Sequence, residues 1–135
     1  MKRVFVDANV FLRFFTVDDH GQHGKAVRLL NDAAAGRVTL VSGPPVLFEV
    51  AWTMRSAYGV DTDAILGALE SIAGFPGLSL SDVENVLAAI SLARESGVEF
   101  ADAYIAVSAQ TLGADQIATF NVRDFRRMDV ATYAM

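Results

Sequence analysis

The sequence predicts an α/β protein in three layers: a mostly parallel central sheet of about four to five strands, with helices on both faces. Three observations carry this. Short apolar, β-branched runs (residues 3–6, 38–41, 78–80 and 116–119) alternate with longer segments of helical period. The chain has 135 residues, and 53% of them are hydrophobic, enough for one domain, residues 1–135, with one sizeable core. There is no internal repeat, low-complexity segment or linker to divide it.

Composition removes several function classes. Cysteine is absent, which excludes disulfides, thiolate catalysis and Cys-based zinc sites and suits a reducing compartment. The basic start Met1-Lys2-Arg3 is followed by Asp7 before any signal segment can form. The uncharged runs 38–48 and 103–114 fall short of the ~20 residues a bilayer span needs. The expectation is therefore a cytoplasmic protein with no membrane contact. The net charge of −5 argues against broad electrostatic capture of duplex DNA.

Residues 3–6 read as a short buried strand that runs into Asp7 at its carboxyl end. Ligands of open α/β sheets bind outside that end, and Asp is also a favoured helix N-cap. Residues 10–15 form a short helix. Residues 17–24, VDDHGQHG, read as a polar turn with His20 and His23 solvated. Residues 25–35 form an amphipathic helix closed by Gly36. Strand 38–41 precedes Pro44-Pro45, which suits the first turn of a helix running to about Tyr58. Glu49 stands out in that strongly apolar helix.

Asp61 caps a fourth helix with Ile65, Leu66, Leu69 and Ile72 at helical spacing. A short strand at 78–80 leads to the capping-box pattern Ser81-Asp82-Val83-Glu84 and a scaffold helix ending near Gly97. Residues 100–112 form a further helix, 116–119 a strand, 120–127 a loop or short turn, and 130–133 an edge strand.

Four acids merit weighing: Asp7, Glu49, Asp102 and Asp124. Each has an ordinary structural reading. Asp102 suits a helix's first turn, and Asp124 suits a turn beside Arg123 and Arg126. As a set they are oxygen-only ligands of the kind that suits Mg²⁺ or Mn²⁺. Carboxylates gathered in one pocket repel, and a cation relieves that. Divalent ions held this way support phosphodiester hydrolysis. No Gly-rich phosphate loop, Ser-His arrangement or dinucleotide fingerprint competes.

VDANV on the first strand, PVLFEV on the third helix, FADAYIA on a late helix and ATFNVRDF after it resemble a PIN domain. The likeness is to the toxin ribonucleases of VapBC-type toxin–antitoxin pairs, and it spans essentially the whole chain. It implies a PIN-like fold and a Mg²⁺- or Mn²⁺-dependent ribonuclease cutting RNA single strands or loops. It further implies a homodimer and a cognate VapB-like antitoxin. Carried over by motif, Asp7, Glu49 and Asp102 are the metal-binding, catalytic acids, with Asn9 and Thr119 as polar supports. Many relatives have Asp where Asn121 stands, so Asp124 is the nearest carboxylate to serve as the fourth catalytic and metal-binding acid. Glu99 is a further candidate.

Two other readings compete. A phospho-receiver domain shares the length, sheet type and first-strand acid. It needs a lysine near the end of the last strand, and the only lysines here are Lys2 and Lys25. A PIN-like module that only binds a partner is favoured by Asn121 and opposed by the intact Asp7, Glu49 and Asp102.

Overall fold

In the computed structural model all 135 residues are described, and they fall into two compact units, Met1–Val83 and Glu84–Met135. The first unit holds a three-stranded parallel sheet in the order β1-β2-β3. The strands are β1 Arg3–Phe5, β2 Thr39–Ser42 and β3 Leu78–Leu80. Arg3 pairs with Thr39, and Leu40 pairs with Leu78. Because every strand runs the same way, the chain leaves the sheet at one edge after Val6, Ser42 and Leu80. Buried Ser42 ties this edge together, its Oγ donating to the Val6 carbonyl at 3.0 Å.

Four helices join these strands: α1 Ala8–Phe15, α2 His20–Ala34, α3 Pro44–Ser56 and α4 Thr62–Ala73. The apolar residues predicted for the fourth helix, Ile65, Leu66, Leu69 and Ile72, are all buried, and Asp61 caps it by accepting from the Ala64 N–H at 2.9 Å. Pro44 and Pro45 occupy the first turn of α3, where a missing N–H leaves no bond unmade.

Three expectations for this unit need correction. The 17–24 segment is not all turn. Asp19 accepts from the Gln22 N–H at 3.0 Å, and α2 starts at His20. His23 is not simply solvated, since its Nδ1 lies 2.8 Å from the Arg13 carbonyl. Finally, β1 is an edge strand rather than a buried one: Val6 is buried, but Phe5 is 62% exposed.

The second unit is helical: α5 Val83–Ser96, α6 Phe100–Thr111 and α7 Val122–Arg127. Val86, Ala89, Ile90 and Ala93 line the buried side of α5. The Ser81 box does not set its start, because Asp82 takes a left-handed φ of 56° and the helix begins after it. The predicted strands 116–119 and 130–133 shrink to a single parallel bridge between Ile117 and Thr132. Thr119 marks the end of the first of them. Its Oγ1 accepts from the Asn121 N–H at 3.0 Å and turns the chain toward α7. Residues 120–127, read as a loop or short turn, contain α7, anchored by buried Phe125. Three strands pair in the parallel sheet, and with seven helices around it the α/β, PIN-like reading holds. No helix is long and apolar enough to cross a membrane.

Candidate active site

Asp7 leaves β1 and opens α1. Its Oδ1 accepts from the Ala8 N–H at 2.8 Å, so the N-cap role is real, while the exposed second carboxylate oxygen keeps no protein partner. Asn9 is exposed two residues further along α1. Glu49 lies on α3 between buried Leu47 and Val50, yet it is exposed rather than enclosed by the apolar residues around it in sequence. The helix turns those residues inward and leaves Glu49 and Trp52, 71% exposed, on its outer side. Both acids of the first unit thus present carboxylates to solvent.

The second unit gathers its acids more closely. Asp102 lies in the first turn of α6, preceded by Glu99 at the N-cap position, and it is half-buried. Burial pushes its pKa above the ordinary carboxylate value, and the neighbouring charges of Asp124 and Glu99 push it the same way. Asp124, also half-buried, lies in the first turn of α7. Its Oδ2 accepts from Asn121 Nδ2 at 3.0 Å. No ion pair joins it to Arg123 or Arg126, so the turn-residue reading in its charge-paired form fails. Thr119, Asn121 and Asp124 form one chain of hydrogen bonds. The amide of Asn121 is thereby spent on orienting a carboxylate.

These donors suit a hard divalent cation by chemistry. They are oxygen ligands, and the charges of Asp124 and exposed Glu99 both act against ionisation of half-buried Asp102. No group of three His, Asp or Glu side chains is already drawn into a cage that would hold a metal ion. The fit is thus one of donor type and charge.

Two relations between side chains escaped the sequence reading, which names Glu99 only as a further candidate. Glu99 proves to be an electrostatic neighbour of Asp102, a relation its spacing of three residues at a helix start signals. The second feature surrounds Arg13 on α1. Its Nε donates to Gln22 Oε1 at 2.7 Å and its Nη1 to the Tyr58 hydroxyl at 3.2 Å. Tyr58 in turn donates to Asp18 at 2.8 Å, and this bond leads the effects that hold the Asp18 pKa below its ordinary value. No sequence signal joins these residues, which come from separate segments.

No curated protein matches the chain. The PIN domain family matches residues 4–131, a span that takes in Asp7, Glu49, Asp102 and Asp124. A PIN domain is a nuclease-type domain. From Val4 to Ala131, across both units, the chain belongs to the PIN domain family.

Proposed function

We propose that this protein is a single-domain, Mg²⁺- or Mn²⁺-dependent endoribonuclease, the toxin of a type II toxin–antitoxin pair. The nuclease class rests on the family match over residues 4–131. The observation that supports metal dependence is half-buried Asp102 with the charges of Asp124 and Glu99 beside it, an unfavourable arrangement that a divalent cation would relieve. Asp7, Glu49, Asp102 and Asp124 are the proposed metal-binding and catalytic acids. A bound divalent ion supplies activation of water and stabilisation of the leaving oxygen in phosphodiester hydrolysis. Asn121 orients Asp124, Thr119 fixes the backbone at Asn121, and Asn9 supports the substrate phosphate. The proposed partners are RNA, a VapB-like antitoxin and a second copy of the chain, in the cytoplasm.

Calorimetric Mn²⁺ titration tests the fourth acid. Asp124→Asn is expected to weaken second-site binding and leave first-site binding in place. Asn121→Asp is expected to tighten binding by adding a carboxylate beside Asp124. Unchanged affinity and stoichiometry in Asp124→Asn would remove it from the set.

The dimer rests on exposed large apolar side chains in both units, among them Phe5, Trp52, Leu112 and Phe120, the last 94% exposed. Sedimentation is expected to show a dimer at tens of micromolar, well above a dissociation constant of ~1 μM, which corresponds to about −8 kcal/mol. A monomer at that concentration would refute it.

A second reading, a PIN-like module that binds without cutting, is favoured by Asn121 standing in place of a carboxylate. It predicts Mn²⁺ binding with no RNA cleavage at any metal concentration.

A further inference from the structure

The Arg13 network borders a cavity of about 280 Å³ whose polar lining is Asn9, Arg13, Gln22 and Lys25. Its walls come from α1 and α2 alone. In a chain of net charge −5, the only charged side chains on this wall are two cations. Arg13 is held in place by Gln22, Tyr58 and an Asp18 carboxylate 3.7 Å away, so its guanidinium is preorganised and partly neutralised. Lys25 has no ion-pair or hydrogen-bond partner and is exposed. Val10, Ala26 and Leu29 supply an apolar wall, and the Asn9 and Gln22 amides are its neutral polar groups.

We propose that this cavity is a subsite for one nucleotide of the RNA strand, beside the phosphate that is cut. The proposal rests on the nuclease reading for its link to Asp7. An apolar wall takes the face of a base, the NH2 group of Gln22 addresses the base edge, Asn9 at the Asp7 end faces the phosphate that is cut, and the free ammonium of Lys25 meets the next phosphate. The volume falls just below the ~300 Å³ at which small-molecule sites begin, a size for one nucleotide rather than a longer segment. Asn9 and Arg13 are separated by about one helical turn, ~6 Å along α1. The cavity therefore extends from the Asp7 end of the helix by roughly one turn. A carboxylate-rich peptide would answer to the two cations but would leave the amides and apolar wall without a role.

Two variants and two readouts test this. Leu29→Trp fills the cavity, and Lys25→Gln removes the free cation from an exposed position where folding is not at stake. For RNA cleavage, Lys25→Gln is expected to raise KM about tenfold, the scale of one lost charge-assisted hydrogen bond, with kcat unchanged. The second readout is metal-free: binding of nucleoside 5′-monophosphates, followed by NMR. It is expected in the parent protein, and in Asp102→Asn, and lost in Leu29→Trp. If the parent binds the nucleotide but cleaves no RNA, the nuclease reading fails and the nucleotide pocket stands. If KM is unchanged in both variants, or a polyglutamate peptide binds the cavity and the monophosphates do not, the proposal is overturned.

Discussion

Asp102→Asn is expected to lower RNA cleavage by about 100-fold or more, the scale on which one electrostatic group acts on a transition state. The same substitution is expected to raise thermal stability in the absence of divalent metal. Both follow from one arrangement. Asp102 is half-buried beside Asp124 and Glu99, so its charged form is disfavoured in the folded protein. Asparagine keeps the shape and removes the charge.

The sign of the pH dependence follows from the raised pKa. A carboxyl whose folded pKa lies above its unfolded value contributes full stability below the unfolded value and loses it as pH rises through the folded one. The stability advantage of Asp102→Asn is therefore absent at acid pH, below the ordinary value of 3.8, and grows as Asp102 ionises. Thermal melts of both proteins at several pH values, without metal, check this. Added Mg²⁺ is expected to close the gap by stabilising the parent. An advantage that does not change with pH would show that the repulsion is not its source. Cleavage at the parental rate would remove Asp102 from the reaction.

Gly77→Ala is expected to have the largest effect on the fold, a loss of about 3 kcal/mol. Gly77 lies just before β3 at φ +80°, and a Cβ there would stand 2.3 Å from the Ala33 carbonyl oxygen at the end of α2. The obstacle is backbone, so no rotamer change relieves it. Gly77 also cannot retreat freely, because its own carbonyl accepts from the Leu40 N–H at 2.9 Å in the central strand. Gly36→Ala separates the two contributions. Gly36 has a φ of +79°, but a Cβ there would meet nothing within 4 Å, so the substitution carries conformational strain alone, about 1 kcal/mol. The Tm of Gly77→Ala is expected to fall by about 10 °C and that of Gly36→Ala by only a few. Equal shifts would show that the approach to Ala33 does not matter.

The elements most legible in the sequence are those where period and cap agree. The fourth helix is an example: Asp61 starts it, and its four predicted core residues are all buried. The start of α2 is obscured by two glycines and two histidines, weak helix formers that dominate VDDHGQHG. Asp19 followed three residues later by Gln22 is the available signal, and the Asp19–Gln22 bond realises it. The last predicted strands fail for the opposite reason. Their β-branched residues are genuine, but only Ile117 and Thr132 pair, and the Thr119 hydroxyl bonds into the turn that follows the first of them.

For the candidate site, sequence motifs single out the acids, and the Glu99–Asp102 neighbourhood follows from helix-start spacing, whereas the approach of Asp124 on α7 to Asp102 comes only from the tertiary fold. The exposure of Glu49 is not legible either, because an apolar helix sequence does not say which side remains open. The bond between Asn121 and Asp124 spans three residues and is readable in principle. The Arg13–Tyr58–Asp18 network is not, since only the tertiary fold brings those segments together.

The position of β2 between β1 and β3 also bears on how the chain is made. Neither partner is a sequence neighbour: two helices intervene before each pairing closes. Such non-local pairing sets a slower folding rate than helix contacts alone would allow. During synthesis β1 and β2 emerge first and can pair while β3 is still absent. Until residues 77–81 follow, the Leu40 N–H lacks its Gly77 acceptor and the Ser42 carbonyl lacks its Ser81 donor. The nascent protein thus carries an open, apolar strand edge, the kind of surface on which chains pair wrongly with one another. Arrival of β3 covers that edge of β2, so its exposure lasts from α3 until β3 is made.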